Sequence, residues 1–103
     1  MAKLVALFNL KPGRSEADYE AWAREHDIAT VSALGSVESF TLHRVSGVFG
    51  SNDPAPYRYV ELIEVPDMDA FLGDIGAPDV QRVVAEFAEI ADRPLFLVTE
   101  RVA

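Results

Sequence analysis

The hydrophobic and polar positions of this 103-residue chain divide it into four strand-like and two helix-like segments. Segments that are apolar throughout, or that alternate with period two, are typical of β-strands. We predict such strands at 3–9, 37–45, 57–65 and 95–102, and Pro66 ends the third of them.

The two helix-like segments follow the 3.6-residue period of amphipathic helices. The first is predicted at 16–34, where Ser15 is a suitable N-cap and Gly35 is suited to end the helix. The second begins at Pro78, a favourable first helical position, and stops before Pro94, which breaks the pattern. Its apolar stripe consists of Val80, Val83, Val84, Phe87 and Ile90.

The resulting order β-α-β-β-α-β predicts one α+β domain over 1–103 with a ferredoxin-like, four-stranded antiparallel sheet. Both helices would pack on one face of this sheet. The strands carry apolar residues at both parities, as where Val60 and Leu62 alternate with Tyr59 and Ile63. Two helices leave the second face uncovered, so we predict a homodimer that packs sheet against sheet as a dimeric α/β barrel.

Composition narrows the classes of function. With 17 acidic and 9 basic residues the formal net charge is -8, which disfavours binding to nucleic acid or to an anionic membrane surface. No apolar run approaches the roughly 20 residues that span a bilayer. Cysteine is absent, which excludes disulfides and a thiolate nucleophile and is compatible with a cytoplasmic location.

The first helix supplies the leading candidate for chemistry. Its period places Tyr19, Trp22 and His26 within one narrow arc, which should face the body of the domain. Imidazole is suited to proton transfer near neutral pH, with Tyr19 and Trp22 as the walls of a site for a flat ligand. The alternative is a buried, hydrogen-bonded histidine among packed aromatic residues. Ile28 does not fit this predicted inward-facing arc, because it is an apolar residue on the opposite side of the helix from His26.

A second candidate group lies on the middle strands. If residue 43 pairs with residue 59, then Thr41, His43, Tyr59 and Glu61 share one face of the sheet. A carboxylate beside a histidine can fix its tautomer and stabilise its charged form. The alternative is a polar network at a dimer seam or at an exposed end of the sheet. The two histidines have no metal-ligand spacing, so no metal site is predicted.

Two motifs and the closing strand carry a family resemblance over nearly the whole chain. The motifs are Tyr19-x-x-Trp22-x-x-Glu25-His26-Asp27 and Tyr57-x-Tyr59-Val60-Glu61. On these residues the chain resembles the RedY-like proteins, small dimeric α/β-barrel proteins encoded with prodiginine and bisindole biosynthesis. It is more loosely similar to the EthD-like proteins and to the small monooxygenases of antibiotic pathways.

The resemblance implies bacterial secondary metabolism and a reactive, flat aromatic intermediate of bisindole or pyrrole type as the ligand. We therefore predict a cofactor-independent cyclase or isomerase in which His26 is the general acid and base. In this hypothesis His43 and Tyr59 orient or polarise the substrate, and Glu61 supports one of them. Three alternatives stay open: a cofactor-independent monooxygenase of the same fold, a carrier of a pathway intermediate, and a structural dimer without a pocket.

Overall fold

The computed structural model describes residues 2–103, so Met1, the first residue of the predicted domain, lies outside the described residues. Its four strands form one antiparallel sheet in the order β2-β3-β1-β4. The predicted α+β, ferredoxin-like fold is confirmed. The strands are β1 (Ala2–Leu10), β2 (Ser39–Arg44), β3 (Tyr59–Val65) and β4 (Ala91–Glu100).

The first predicted helix is a continuous helical region with a change of winding in its middle. The Ser15 side chain caps it by accepting a hydrogen bond from the Asp18 backbone N–H at 3.2 Å. The region consists of α1 (Glu16–Trp22), a π-helical segment (Ala23–Asp27) and α2 (Ile28–Ser32).

Two further helices follow β3. The short α3 (Met68–Asp74) begins at Asp67, whose side chain accepts a hydrogen bond from the Ala70 backbone N–H. The longer α4 (Pro78–Ile90) buries Val80, Val83 and Phe87. Among residues 2–103, no helix is long and apolar enough to cross a membrane.

The last strand begins earlier than predicted. Leu7 pairs with Leu95 and Asn9 with Asp92, so Arg93 and Pro94 together lie opposite the single residue Phe8 and form a bulge of β4. A bulge leaves a residue outside the regular ladder, which lets a proline stand within an edge strand. The prediction that Pro94 precedes the strand is therefore wrong, since the strand starts at Ala91.

The core is divided into two apolar clusters between the helices and the sheet. The first is built around Phe8, Tyr59 and Phe87, and the second around Phe40, Ile63 and Val65. Both clusters draw residues from the first helical region and from β3. The chain thus has a boundary inside its core, and the side chains at that boundary form the candidate site.

Within residues 2–103, no helix packs on the opposite face of the sheet. Residues directly paired in an antiparallel sheet share a face, and the registers place one set of apolar side chains there, partly exposed. Leu95 and Leu97 in this set remain 43% and 40% exposed. We call this set the open sheet face: Val5, Leu7, Val60, Leu62, Leu95 and Leu97.

Candidate active site

The π-helical segment brings Asp27 into the core. Tyr19, Ala23, Asp27 and Val31 follow one another at intervals of four residues, and all are buried. An α-helix has 3.6 residues per turn, so this spacing would drift around its surface. The wider π turn, in which the Ile28 N–H donates to the Ala23 carbonyl, absorbs the difference. Asp27 therefore faces the sheet.

Glu61 faces Asp27 from the sheet. It stands between Tyr59 and Ile63 on β3, pairs with Ala6, and is only 4% exposed. Tyr59 belongs to the first apolar cluster and Ile63 to the second, as do Ala23 and Val31 on either side of Asp27. The two carboxyl groups thus meet at the boundary between the clusters, within hydrogen-bonding reach of each other.

This environment shifts the pKa of both carboxyl groups upward. Burial raises the pKa of Glu61 well above its ordinary value, and the neighbouring Asp27 raises it further by its charge and by a hydrogen bond. Burial raises the pKa of Asp27 to about 6. The hydrogen bond with Glu61 acts in the opposite direction and lowers the pKa of Asp27. Close carboxyl groups in an apolar setting hold a proton between them. The pair therefore keeps a proton to a higher pH than two isolated carboxyl groups would, and Glu61 holds it more tightly than Asp27.

An apolar cavity of about 270 Å³ adjoins this pair. Asp27 and Glu61 are its ionisable lining residues, and Phe40, Phe71, Phe87 and Phe96 supply aromatic walls. Val84 of α4 and Phe96 of β4 are 51% and 55% exposed, so they mark its solvent side. The remaining lining residues are Leu4, Val31, Ile63, Ile75 and Val80.

Tyr19 lies beside the carboxyl pair. It is 2% exposed and its ring packs edge-on against those of Phe8 and Tyr59. Burial and the nearby charges of Glu61 and Asp27 raise the pKa of its hydroxyl, which stays protonated. A hydrogen bond with Glu61 acts in the same direction on the pKa of Tyr19. Tyr19, which was predicted to form a wall of the site, is thus a core residue whose hydroxyl lies next to the carboxyl pair.

A second polar cluster surrounds Tyr59. Its hydroxyl donates to Oε2 of Glu20 at 2.7 Å, and Arg44 binds both carboxylate oxygens of Glu20 through Nε and Nη2. These bonds, chiefly those from Arg44, lower the pKa of Glu20 to about 2. Tyr59 is therefore a buried structural donor. Ile28 lies in a cleft next to this cluster, which explains its position outside the predicted apolar stripe.

The structure contradicts the predicted placement of His26. His26 is exposed, whereas the next residue, Asp27, is buried. The reason is the π turn, which advances the buried face of the helix by about one residue after Trp22. Regular α-helical spacing assigned to His26 the inward position that Asp27 occupies.

The predicted register of the middle strands is wrong by one residue. His43 pairs with Val60, and Arg44 pairs with Tyr59. A shift of one residue moves a side chain to the other face of the sheet. His43 and Thr41 are therefore exposed on the helix-free side, where the Thr41 hydroxyl and the His43 ring are 3.0 Å apart. Tyr59 and Glu61 face the helices instead.

Trp22 packs against α4. Its indole N–H donates to Oε2 of Glu86 at 2.9 Å, and its ring stacks on that of Phe87 at 6.4 Å between centroids. It is not among the residues that line the cavity. Across residues 2–103, no group of three or more histidine, aspartate or glutamate side chains is arranged to hold a metal ion.

A small ferredoxin-like domain with an apolar cavity under its helices defines the class of this protein. The family model described as REDY-like protein HapK matches residues 2–102, and the chain belongs to this family. The predicted family resemblance is thereby confirmed. No curated protein sequence matches the chain significantly.

Solved structures share the fold of this chain. HapK from Hahella chejuensis is 29% identical, with a TM-score of 0.78 over 99% of this chain and 93% of that chain. At3g17210 from Arabidopsis thaliana is 16% identical, with a TM-score of 0.84 over 100% and 97% of the two chains. A point mutant of SnoaB, a cofactor-independent oxygenase from Streptomyces nogalater, is 16% identical, with a TM-score of 0.77 over 99% and 93%.

Proposed function

We propose that this protein is a small biosynthetic enzyme that cyclises or isomerises a reactive aromatic intermediate by proton transfer, without a cofactor. The observation that carries the proposal is the Asp27–Glu61 carboxyl pair at the wall of an apolar cavity. Perturbed carboxyl groups in a cleft are typical of general acids and bases. The membership in the REDY-like HapK family supports the biosynthetic setting.

The pair supplies an acid and a base at the same place. Protonated Glu61 gives its proton to one atom of the ligand, and ionised Asp27 takes a proton from another. Afterwards Glu61 is ionised and Asp27 is protonated, so one proton moving through their hydrogen bond restores the starting state. No net proton, electron or co-reactant is consumed, which is the balance that an isomerisation or cyclisation requires.

The role first predicted for His26 passes to this pair. His26 is exposed, whereas both carboxyl groups line the cavity. Buried groups also act in a lower dielectric and hold their position, which strengthens proton transfer and orients the ligand. The volume of about 270 Å³ is near the lower end of the 300–1,000 Å³ typical of small-molecule sites, so we expect a compact ligand.

A second candidate is a cofactor-independent oxygenase of the same fold. The observation in its favour is the likeness in fold to SnoaB, which is described as a cofactor-independent oxygenase. In that reaction the carboxylate would remove a proton from the substrate, and the resulting carbanion would react with dioxygen. Oxygen consumption during turnover separates the two reactions, because cyclisation or isomerisation consumes none.

The test uses the intermediates that accumulate in the native host. An organic extract of a strain without this gene is incubated with the purified protein, and the products are followed by mass spectrometry with an oxygen electrode. We expect a product of unchanged mass without oxygen uptake, and at least a 100-fold lower rate for Glu61→Gln. Glu25→Gln, an exposed glutamate on the same helical region as Asp27, is the matched control. An unchanged rate in Glu61→Gln would contradict the catalytic role of the carboxyl pair, and a wild-type rate no higher than that without protein would favour the carrier hypothesis.

We also propose that two copies pack through the open sheet face. Its half-exposed leucine and valine side chains form a continuous apolar surface, and burying such a surface favours association. The second binding partner that we propose is the small aromatic intermediate. We further propose that the reaction takes place in the cytoplasm, and the absence of cysteine agrees with that location.

A further inference from the structure

Three buried polar side chains meet at the boundary between the two apolar clusters. Tyr19 and Asp27 come from the same buried side of the first helical region, and Glu61 faces both of them from β3. Hydrogen bonds join Glu61 to Tyr19 and to Asp27, which makes Glu61 the middle member of the three. The carboxyl pair therefore has a third member that belongs to the core.

Tyr19 reaches Glu61 without bordering the cavity. Asp27 and Glu61 are lining residues of the cavity, whereas Tyr19 is not among them. Its ring lies in the first apolar cluster, edge-on to Phe8 and Tyr59 at 5.7 and 5.0 Å between centroids. This packing on two sides holds the hydroxyl in place, so Tyr19 can act on a bound ligand only through Glu61.

The chemistry of the two groups sets the direction of their hydrogen bond. The Tyr19 hydroxyl stays protonated and donates, and an ionised carboxylate only accepts. The bond therefore favours ionised Glu61 and lowers its pKa, in opposition to burial and to the nearby Asp27. Among residues 2–103, Asp27 and Tyr19 are the titratable groups that face Glu61. Its strand neighbours Ala6 and Leu42 are apolar, as are the cavity-lining residues of α4.

We propose that Tyr19 is a positioning residue for the reaction: its hydroxyl holds the Glu61 carboxyl group and stabilises the carboxylate that remains when Glu61 gives its proton to the ligand. The inference deepens the proposed function and rests on it for the step at the ligand. Proton release leaves a negative charge on Glu61 in an apolar setting, while Asp27 takes a proton from another atom of the ligand. A donor that is already aimed at the developing charge stabilises it without reorganisation.

The test is a carbon-13 NMR titration of the Glu61 carboxyl group in the ligand-free protein, from about pH 5 to 10. Tyr19→Phe removes the hydroxyl and keeps the ring. We expect it to make Glu61 at least about a tenfold weaker acid, so the titration moves up by about one pH unit or more. Replacement of Tyr19 by 3-fluorotyrosine keeps the donor and makes it more acidic. In that variant the titration should lie at the wild-type position or below it, which separates the hydrogen bond from the packing of the ring.

Tyr59→Phe is the matched control. It removes another buried hydroxyl of the first apolar cluster, one that donates to Glu20 rather than to Glu61. The Glu61 titration in this control should keep its wild-type position. In the assay with the host extract, we expect Tyr19→Phe to turn over at least about tenfold more slowly near pH 7 and 3-fluorotyrosine to restore the rate.

The inference is overturned if the Glu61 titration is unchanged in Tyr19→Phe, if Tyr59→Phe moves it equally, or if 3-fluorotyrosine does not restore it. A Glu61 that stays protonated throughout in the wild type and in both Tyr19 variants would also overturn it. An upward shift in Tyr19→Phe with unchanged turnover in Glu61→Gln would contradict the proposed enzyme alone. Loss of turnover in Glu61→Gln, without a shift in Tyr19→Phe, would contradict this inference alone.

Discussion

The carboxyl group of Asp27 meets that of Glu61 inside the core, between two apolar clusters that the helix and the sheet share. The contact between these two carboxyl groups depends on a π turn in the helix and on the pairing of β3 with its neighbours. Two buried carboxyl groups destabilise a fold unless they are paired. Their presence together supports the proposed use of the site.

The first prediction concerns the stability of Glu61→Leu. This substitution leaves Asp27 buried in an apolar setting without its hydrogen-bond partner, which costs free energy. We expect the free energy of unfolding at pH 7 to fall by about 1–3 kcal/mol. Urea unfolding followed by Trp22 fluorescence measures it. A gain of stability in this variant would show that Asp27 does not depend on Glu61 for its pairing.

The second prediction is the pH dependence of stability that Asp27 contributes. Its pKa in the folded protein is about 6 against an ordinary value of 3.8, so the folded state binds the proton more tightly than the unfolded chain. This contribution is complete below about pH 4 and is lost as the pH rises through 6. It amounts to at most about 3 kcal/mol.

Asp27→Asn isolates this contribution, because the amide does not titrate. Unfolding is measured in urea at intervals from about pH 4.5 to 8 for both proteins. We expect the stability of the wild type, relative to the variant, to fall over this range. Glu20 does not interfere, since its pKa is lowered to about 2 and its contribution is lost only as the pH falls below 4.5. Parallel pH profiles would contradict the assigned burial of Asp27.

These results bear on how far the sequence predicts this molecule. Strand and helix order followed from periodicity, and the family resemblance from the motif around Trp22, because both depend on local spacing. The inward residue of the first helix did not follow, because a single π turn changes the phase between Trp22 and Ile28. Two signals pointed to it: the four-residue spacing from Tyr19 to Val31, and the position of Ile28 opposite the expected stripe.

The strand register shows a different limit. The loop between β2 and β3 is long, and its sequence does not fix which residues pair across it. An offset of one residue moved Thr41 and His43 to the opposite face from Glu61. Glu61 was identified as a candidate site residue from the strand pattern, but its partner Asp27 was not, since their contact joins a helix to a strand.

The third prediction compares two arginine–glutamate pairs of similar geometry. Glu20 is buried and binds Arg44 and the Tyr59 hydroxyl, whereas Glu16 is exposed and binds Arg58 at 2.7 and 3.1 Å. Glu20→Gln should lower the free energy of unfolding by about 1–3 kcal/mol. The control Glu16→Gln should lower it by clearly less than Glu20→Gln, because solvent screens the exposed pair. Equal losses in urea unfolding would argue against a structural role for the buried cluster.

The fourth prediction tests the homodimer. Leu97 lies on the open sheet face and Leu72 on α3, and they are 40% and 58% exposed. A charge at Leu97 would have to be buried in the proposed interface, which costs more than the interface gains. By light scattering after size exclusion, the wild type and Leu72→Glu should have about twice the chain mass of 11.3 kDa. Leu97→Glu should have the mass of one chain, and an intact dimer in that variant would exclude this interface.

The most direct measurement of the central claim is a carbon-13 NMR titration of the Asp27 and Glu61 carboxyl groups in the ligand-free protein, assigned with Asp27→Asn and Glu61→Gln. The account predicts that the pKa of Glu61 lies well above the ordinary carboxyl range and that Asp27 titrates near pH 6. It also predicts that removing either carboxyl group shifts the titration of the other. Two independent carboxyl groups that both ionise below about pH 5 would contradict it.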